Sequence, residues 1–291
     1  MLYEFFSKNI MIIWIASFPK SGNTWMRAFL SSYLYLDLDK ENFNFSLLKK
    51  IERFPNLNHL NNIGIKPKSF SDVAKSWIAA QNHINLNNKI NLLKTHQAFG
   101  SFENFPFTDS NNTLGAIYLV RDPRDVLISY SKHMRQSIDK TLDLVLEDDS
   151  KGNLFEGKNS VIGEVRGSWS QHYNSWKYSN LKEKIIIKYE DLINNPYDTF
   201  SKVIEYLNYL FRKLSFSFET NDERIRKCIN ISNFNNLQNL EKKIGFDDNI
   251  KQGTIFFNKG ETNQCQEELN DKILYKIEKK FKKEMKELNY I

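Results

Sequence analysis

The stretch Ile12 to Leu30, IIWIASFPKSGNTWMRAFL, constrains this chain more than any other. The apolar run Ile12 to Ile15 reads as a buried strand, and Trp25, Met26, Phe29 and Leu30 fall on one helical face. Strand, tight loop and helix, in that order, present free backbone N–H groups and a helix N-terminus to an anion. Within the loop, Pro19 stiffens the strand exit, and Gly22 lets the backbone approach a phosphate with no Cβ in the way. Lys20 brings a positive charge, Ser21, Asn23 and Thr24 bring hydrogen-bond donors, and Trp25 brings a flat face on which a base can stack. The ATPase form of such a loop, GxxxxGK[ST], sets Lys and a Mg²⁺-binding hydroxyl after the second Gly. Here Lys20 precedes the single Gly, so the phosphate grip is rebuilt and no metal seat is evident. A plain strand-to-helix turn with a chance Lys is the alternative.

Three later segments read as strands: Ile90 to Thr95, Leu114 to Val120 and Lys184 to Lys188. Helices are expected from the Ser69 cap to about Ile84, from Pro123 to about Ser137, over Val161–Tyr178, from Pro196 to about Phe211, over Asp222–Ile231 and over Gln266–Leu288. A short helix is expected within Asp37–Pro55, a polar segment over Ser232–Leu240, and loops over Asn56–Lys68, Phe99–Asn112 and Asn249–Lys259. Asp139–Lys158 reads as a charged loop after a helical turn or two. Strands alternating with helices imply an α/β fold, a parallel sheet with helices on both faces. Ligands of such sheets bind outside the carboxyl ends of the strands. Lys20, His96, Arg121 and Tyr189 each follow one of the four strands, so residues distant in sequence reach one edge. With no repeat or linker, one domain over residues 1–291 is expected.

The charge balance, 41 Lys and Arg against 35 Asp and Glu, leaves +6. That suits an anionic ligand but is too mild and dispersed for a nucleic-acid binder. Cys228 and Cys265 form no CxxC pair and no disulfide framework, which points to a reducing cytoplasm. The apolar stretch Ile10 to Phe18 is too short to span a bilayer. It has neither the basic lead nor the cleavage site of a signal peptide. It reads as a core strand, and no integral membrane segment is expected.

PKSGNTW, Pro19 to Trp25, resembles the loop with which sulfotransferases bind PAPS (phosphoadenosine phosphosulfate), commonly PKSGTTW. Further segments resemble the same family in the same order. In YLVRDPRDVLISYSKH, Tyr118 to His133, Arg121 and Ser129 match the family's 3′-phosphate site. An Arg offers a fork of donors suited to phosphate; a structural pair with Asp122 or Asp125 is the alternative, and Arg124 reads as structural. KTHQ, Lys94 to Gln97, resembles the family's KTH, whose His is the general base. Of the other histidines, His59 and His83 read as solvated, and His133 and His172 as helix-packing residues. GSWSQHYNSW, Gly167 to Trp176, and the following IIIKYEDL also match; Trp169, Tyr173 and Trp176 read as core, and Tyr189 matches a Tyr that contacts the adenine. Glu190 and Asp191 read as a cap and a structural pair. In SNFNNL, Ser232 and Phe234 match an adenine contact and a stacking ring. FFNKG, Phe256 to Gly260, resembles a 3′-phosphate loop written Arg-Lys-Gly, so Lys259 and Gly260 match while Asn258 stands at the Arg position. One charge-assisted contact would be lost there, which would weaken donor binding or shift the load to Lys251 or Lys259. Beyond it Thr262, Asn263 and Cys265 stand where the family often has Gly-Asp-Trp.

The resemblance implies a P-loop-like, three-layer fold. It implies PAPS as donor, PAP as product and no metal. A sulfuryl group would move in line to an acceptor hydroxyl, on a carbohydrate or on a small-molecule alcohol or phenol, with an amine as the lesser alternative. His96 would take the acceptor's proton, Lys20 would meet charge growing on the leaving phosphate, and Lys94 would steady the sulfuryl oxygens. Ser129 would hold Lys20 back until an acceptor arrives. Asp37–Lys68 and Asp139–Lys158 would shape the acceptor pocket. Two rivals stand beside this reading: a P-loop nucleotide kinase or NTPase, and a non-catalytic nucleotide-binding protein.

Overall fold

The computed structural model describes residues 11–87, 89–148, 155–156, 161–246 and 255–291. In chain order these form β1 (Ile12–Ser17), α1 (Asn23–Tyr35), a 3₁₀ turn (Phe45–Lys50), α2 (Leu57–Asn61), α3 (Phe70–Asn85), β2 (Asn91–Thr95) and a small hairpin of β3 (Ser101–Phe102) and β4 (Phe105–Pro106). Then come β5 (Thr113–Val120), α4 (Pro123–Met134), α5 (Ile138–Leu146), β6 (Phe155–Glu156), β7 (Val161–Ile162), α6 (Trp169–Lys177) and β8 (Lys184–Lys188). Helices α7 (Tyr189–Asn194), α8 (Pro196–Lys213), α9 (Asp222–Ile231), α10 (Phe234–Ile244), α11 (Cys265–Glu268), α12 (Asp271–Lys280) and α13 (Lys282–Glu287) complete the chain.

The central sheet runs β2-β1-β5-β8, and every pair in it is parallel. Both faces are covered, which is why its strands read as unbroken apolar runs. Along β1, Trp14 and Ala16 point into a cluster with Trp77, Phe107, Trp169 and Trp176, while Ile13 and Ile15 point into another with Met26, Phe29, Val203 and Leu207. Along β5, Tyr118 and Val120 join the first cluster and Ile117 and Leu119 the second. Register makes the strand ends level: Ala16 pairs with Thr95, Ser17 with Leu119 and Val120 with Lys188. The residues that leave the four strands therefore share one rim.

Helix α3 starts as its sequence predicts, with a reciprocal cap between Ser69 and Asp72. Elsewhere the structure corrects the expectations. Within Val161–Tyr178 only Trp169–Lys177 is helical. Gly167 takes φ +64° and Ser168 caps the helix, so the residues before them stay extended. Ser232–Leu240 is not a polar segment; Asn233 caps α10 there, and Leu237 is buried. The final helix is three, because Asn270 caps a new start at α12 and the chain turns again at Phe281. The expected loops Asn56–Lys68 and Phe99–Asn112 contain α2 and the β3–β4 hairpin. Lys251 and part of Asp139–Lys158 lie outside the described residues. Among the described residues no helix is long and apolar enough to cross a membrane.

Gly115 brings β5 close beneath α8. A Cβ there would stand 2.6 Å from the Tyr206 hydroxyl oxygen and 3.2 Å from the Glu183 carbonyl. Gly115→Ala is expected to cost about 1–3 kcal/mol through overpacking, read as a lowered midpoint in thermal unfolding. An unchanged midpoint would show that α8 yields freely.

Candidate active site

The loop after β1 is shaped by backbone that few side chains tolerate. Lys20 has φ +68° and Gly22 φ +96°. A Cβ on Gly22 would lie 2.7 Å from Tyr189 Cδ2, so only glycine fits beneath that ring. Asn23 donates through its amide to the Ile15 carbonyl at 3.0 Å and the Ser17 hydroxyl at 3.2 Å, which ties the loop to its own strand. The Asn23 amide hydrogens are thereby used inside the chain. Ser21 and Thr24 are buried, and Trp25 meets Tyr189 and Phe200 edge-on at 6.1 and 5.8 Å. Ser21 Oγ, Trp25 Nε1 and Arg121 Nε are buried without a hydrogen-bond partner among the described residues.

Arg121 follows β5 directly. It donates to the Lys20 carbonyl at 3.4 Å and the Glu261 carbonyl at 2.8 Å, and lies 3.8 Å from Asp125. Its guanidinium sits 4.3 Å over the Tyr189 ring, so that ring is held between Gly22 and Arg121. The pair with Asp125 foreseen as an alternative is present alongside these contacts. Asp125 also accepts from the Asn263 N–H at 2.9 Å, and burial raises its carboxyl above the ordinary range while Arg121 opposes the rise. Ser129 lies two turns along α4, partly buried.

A late segment closes over this rim. The Phe256 and Phe257 N–H groups donate to the Glu241 carboxylate at 2.6 and 2.9 Å. The Lys20 ammonium rests 3.7 Å from the centre of the Phe256 ring. Gly260, at φ +69°, passes so near Phe234 that a Cβ would come within 2.3 Å of it. Asn258 and Lys259 are exposed; the Asn258 carbonyl accepts from Gln238 at 2.8 Å, and Lys259 pairs with Glu268 at 3.0 Å. Ser232 is fully buried and donates to the Cys228 carbonyl at 2.7 Å, closing α9. Phe234 thus belongs to the rim through Gly260, whereas the Ser232 hydroxyl is turned inward.

His96 follows β2, and its Nδ1 lies 2.7 Å from the Ser17 carbonyl, at the exit of β1. A carbonyl only accepts, so Nδ1 carries the proton and the lone pair stands on Nε2. Burial first, then the charges of Lys94 and Arg53, hold the imidazole well below its ordinary range, so it is neutral at pH 7. Lys94 is buried, and its backbone is paired on both sides with Glu52 and Phe54. Two groups fix the His96 peptide. Glu164 Oε1 accepts its N–H at 2.8 Å, and His172 Nε2 donates to its carbonyl at 3.0 Å. His172 Nδ1 in turn accepts from the Tyr118 hydroxyl at 2.8 Å. The packing role expected of His172 is thus a specific hydrogen bond to the His96 main chain. Ser17, Glu164, Glu241 and Phe256 were not singled out from the sequence. Arg124, by contrast, is structural as expected, gripping Asp122, Glu278 and the Tyr290 carbonyl. Glu190 is also structural, accepting from the Asp122 N–H and the Tyr290 hydroxyl.

Strand-end loop, arginine and neutral imidazole on one rim agree with the comparisons. The sulfotransferase domain model matches residues 12–289. Flavonol 3-sulfotransferase of Flaveria bidentis is 22% identical over 274 residues, 92% of this chain and 79% of its own length. Cytosolic sulfotransferase 7 of Arabidopsis thaliana is 26% identical over 265 residues, 88% of this chain and 73% of its own. Mouse sulfotransferase SULT7A1, solved in complex with PAP, superposes with a TM-score of 0.60 at 18% identity, covering 95% of this chain and 84% of that one. A retinol dehydratase solved with androsterone and PAP gives 0.60 at 14% identity, covering 94% and 80%. The fold is that of the sulfotransferases, with the P-loop-like parallel sheet. The chain belongs to the sulfotransferase domain family, and it is an enzyme of that class.

Burial pushes the His172 imidazole down to about 3 from an ordinary 6.5. The unfolded chain takes up that proton first, so the contribution of neutral His172 is complete above pH 6.5 and declines as pH falls toward 3. His172→Gln, which can keep both hydrogen bonds but does not titrate, is expected to lose less stability than wild type across this window in denaturant titrations. Parallel losses would contradict a neutral buried His172.

Proposed function

We propose that this enzyme transfers the sulfuryl group of PAPS to a hydroxyl of a small acceptor, with His96 as general base. The observation that carries the reading is a set of buried donors without partners among the described residues, Ser21 Oγ, Trp25 Nε1 and Arg121 Nε, on the glycine loop, the start of α1 and the arginine touching the loop. Donors buried without acceptors suit an anionic ligand. The residues that would hold the nucleotide are Lys20 to Trp25, Arg121, Ser129, Tyr189, Phe234 and the segment Asn258–Gly260. Ser232 contributes as a buried brace of α9 rather than through its hydroxyl.

PAPS, when bound, supplies the activated sulfuryl group. His96 Nε2 accepts the proton of the acceptor hydroxyl as its oxygen attacks. Lys20 lies at the loop apex, where it meets negative charge on the leaving phosphate, and Lys94 steadies the sulfuryl oxygens. Lys20 reaches that position by leaving the Phe256 ring. As in phosphoryl transfer, positioning and charge stabilisation carry most of the acceleration. Flavonol and steroid sulfotransferases among the relatives support a phenol or alcohol as acceptor over a carbohydrate. Relatives named cytosolic support a cytoplasmic enzyme, and a single family match over residues 12–289 supports reading residues 1–291 as one domain.

His96→Ala is expected to lower turnover by about 100-fold or more while PAP binding, measured by calorimetry, stays near wild type. Loss of both together would make His96 structural. Arg121→Ala is expected to weaken PAP by about 10- to 100-fold, the scale of a charge-assisted contact, with little change for adenosine 5′-phosphate. Equal losses for the two nucleotides would remove Arg121 from the 3′-phosphate.

A further inference from the structure

A buried carboxylate stands directly behind the proposed base. Glu164 is 1% exposed and lies 68 residues beyond His96 in sequence. Its Oε1 accepts the His96 N–H at 2.8 Å and lies 3.4 Å from the Thr95 hydroxyl, while its Oε2 forms an ion pair with Arg53. The strand-like segment around it is stitched to the exit of β2. The Val165 N–H donates to the Gln97 side chain at 2.9 Å, and the Ala98 N–H donates to the Val165 carbonyl at 2.8 Å. Arg53 in turn forms a parallel bridge with Lys94, and bridged partners project to one side of a sheet. Lys94 and His96 are two apart on the same strand line, so Arg53, Lys94 and His96 share that side.

We infer that Glu164 is a positioning residue for the transfer step: it fixes the His96 peptide so that Nδ1 reaches Ser17, and it offsets Arg53 beside the base. This rests on the reading of His96 as general base. Among the described residues, the charged and titratable groups around the imidazole are Lys94 on β2, Arg53 on the bridging segment, His172 on α6 and Glu164 itself. Glu164 is the single carboxylate among these four. Without it Arg53 loses its carboxylate partner beside the ring, and its charge opposes formation of the imidazolium. Placement and charge are thus two separable contributions of one side chain.

Glu164→Gln keeps an oxygen for the His96 N–H and removes the charge. Sulfuryl transfer from PAPS to the flavonol quercetin is expected to fall about 10- to 100-fold, with PAP affinity unchanged by calorimetry. The acid limb of kcat should move to lower pH, and adding Arg53→Gln should return it toward wild type. Glu164→Ala removes the oxygen as well. Nitrogen-15 spectra of its PAP complex should lose the single Nδ1–H tautomer that His96 shows in the parent enzyme. Wild-type rate and pH profile in Glu164→Gln, or a wild-type tautomer signal in Glu164→Ala, overturns the inference. The tautomer signal needs no turnover. An active His96→Ala enzyme would overturn the inference through the base reading, and an altered tautomer in Glu164→Ala would then mark that failure as separate from one of positioning.

Discussion

The hydrogen bond from His96 Nδ1 to the Ser17 carbonyl joins the exits of two neighbouring parallel strands. It exists because β1 and β2 pair in register and end level, so the residue after Thr95 meets the last residue of β1. One contact sets three things. It fixes the imidazole tautomer, directs the Nε2 lone pair away from the strand, and ties the proposed base to the strand that also carries the glycine loop. A register slip of one residue would turn His96 to the opposite face and separate it from the loop. The apolar burial on both sheet faces, with Trp14 and Ala16 on one side and Ile13 and Ile15 on the other, excludes such a slip.

Around that contact the polar groups divide into two kinds. Those that build the rim bond within the chain: the Asn23 amide N–H groups on β1, Arg124 on Asp122, Glu190 on Tyr290, His172 between Tyr118 and the His96 carbonyl. Those facing the loop interior, Ser21 Oγ and Arg121 Nε, are buried and have no partner among the described residues. Leaving a buried donor unpaired costs about 1–3 kcal/mol, a cost that an anionic ligand would remove. The segment around Phe256 lies over Lys20 and supplies the Glu261 carbonyl to Arg121, so two cations proposed for the nucleotide already touch the late part of the chain.

The sheet and its rim were legible because parallel strands buried on both faces leave continuous apolar runs, and because the residue after each run falls at the ligand-binding end. Gly22 was legible as a position that bars a Cβ, expected for a phosphate's approach, whereas the structure adds a positive φ and the Tyr189 ring above it. What escaped depended on tertiary context. Glu164 sits in a segment whose apolar and aromatic surroundings read as helix, and nothing local signals a carboxylate that meets an N–H so far back in the chain. Helix α10 escaped because its Asn- and Lys-rich sequence buries little more than Leu237 and Glu241. Ser232 matched a motif by position, yet its hydroxyl caps α9. Asn270 was a readable break in the last helix, and the amphipathic stripe running through it hid the signal.

On the proposed reading, the strand-end rim is a nucleotide site built for a 3′-phosphorylated adenosine and not for a Mg²⁺-bound triphosphate. Calorimetric titration of the intact enzyme with PAP and, separately, with ATP and Mg²⁺ tests it most directly. Saturable binding of PAP with neither binding nor hydrolysis of ATP is expected; Mg²⁺-dependent ATP binding with no heat from PAP would rule this reading out.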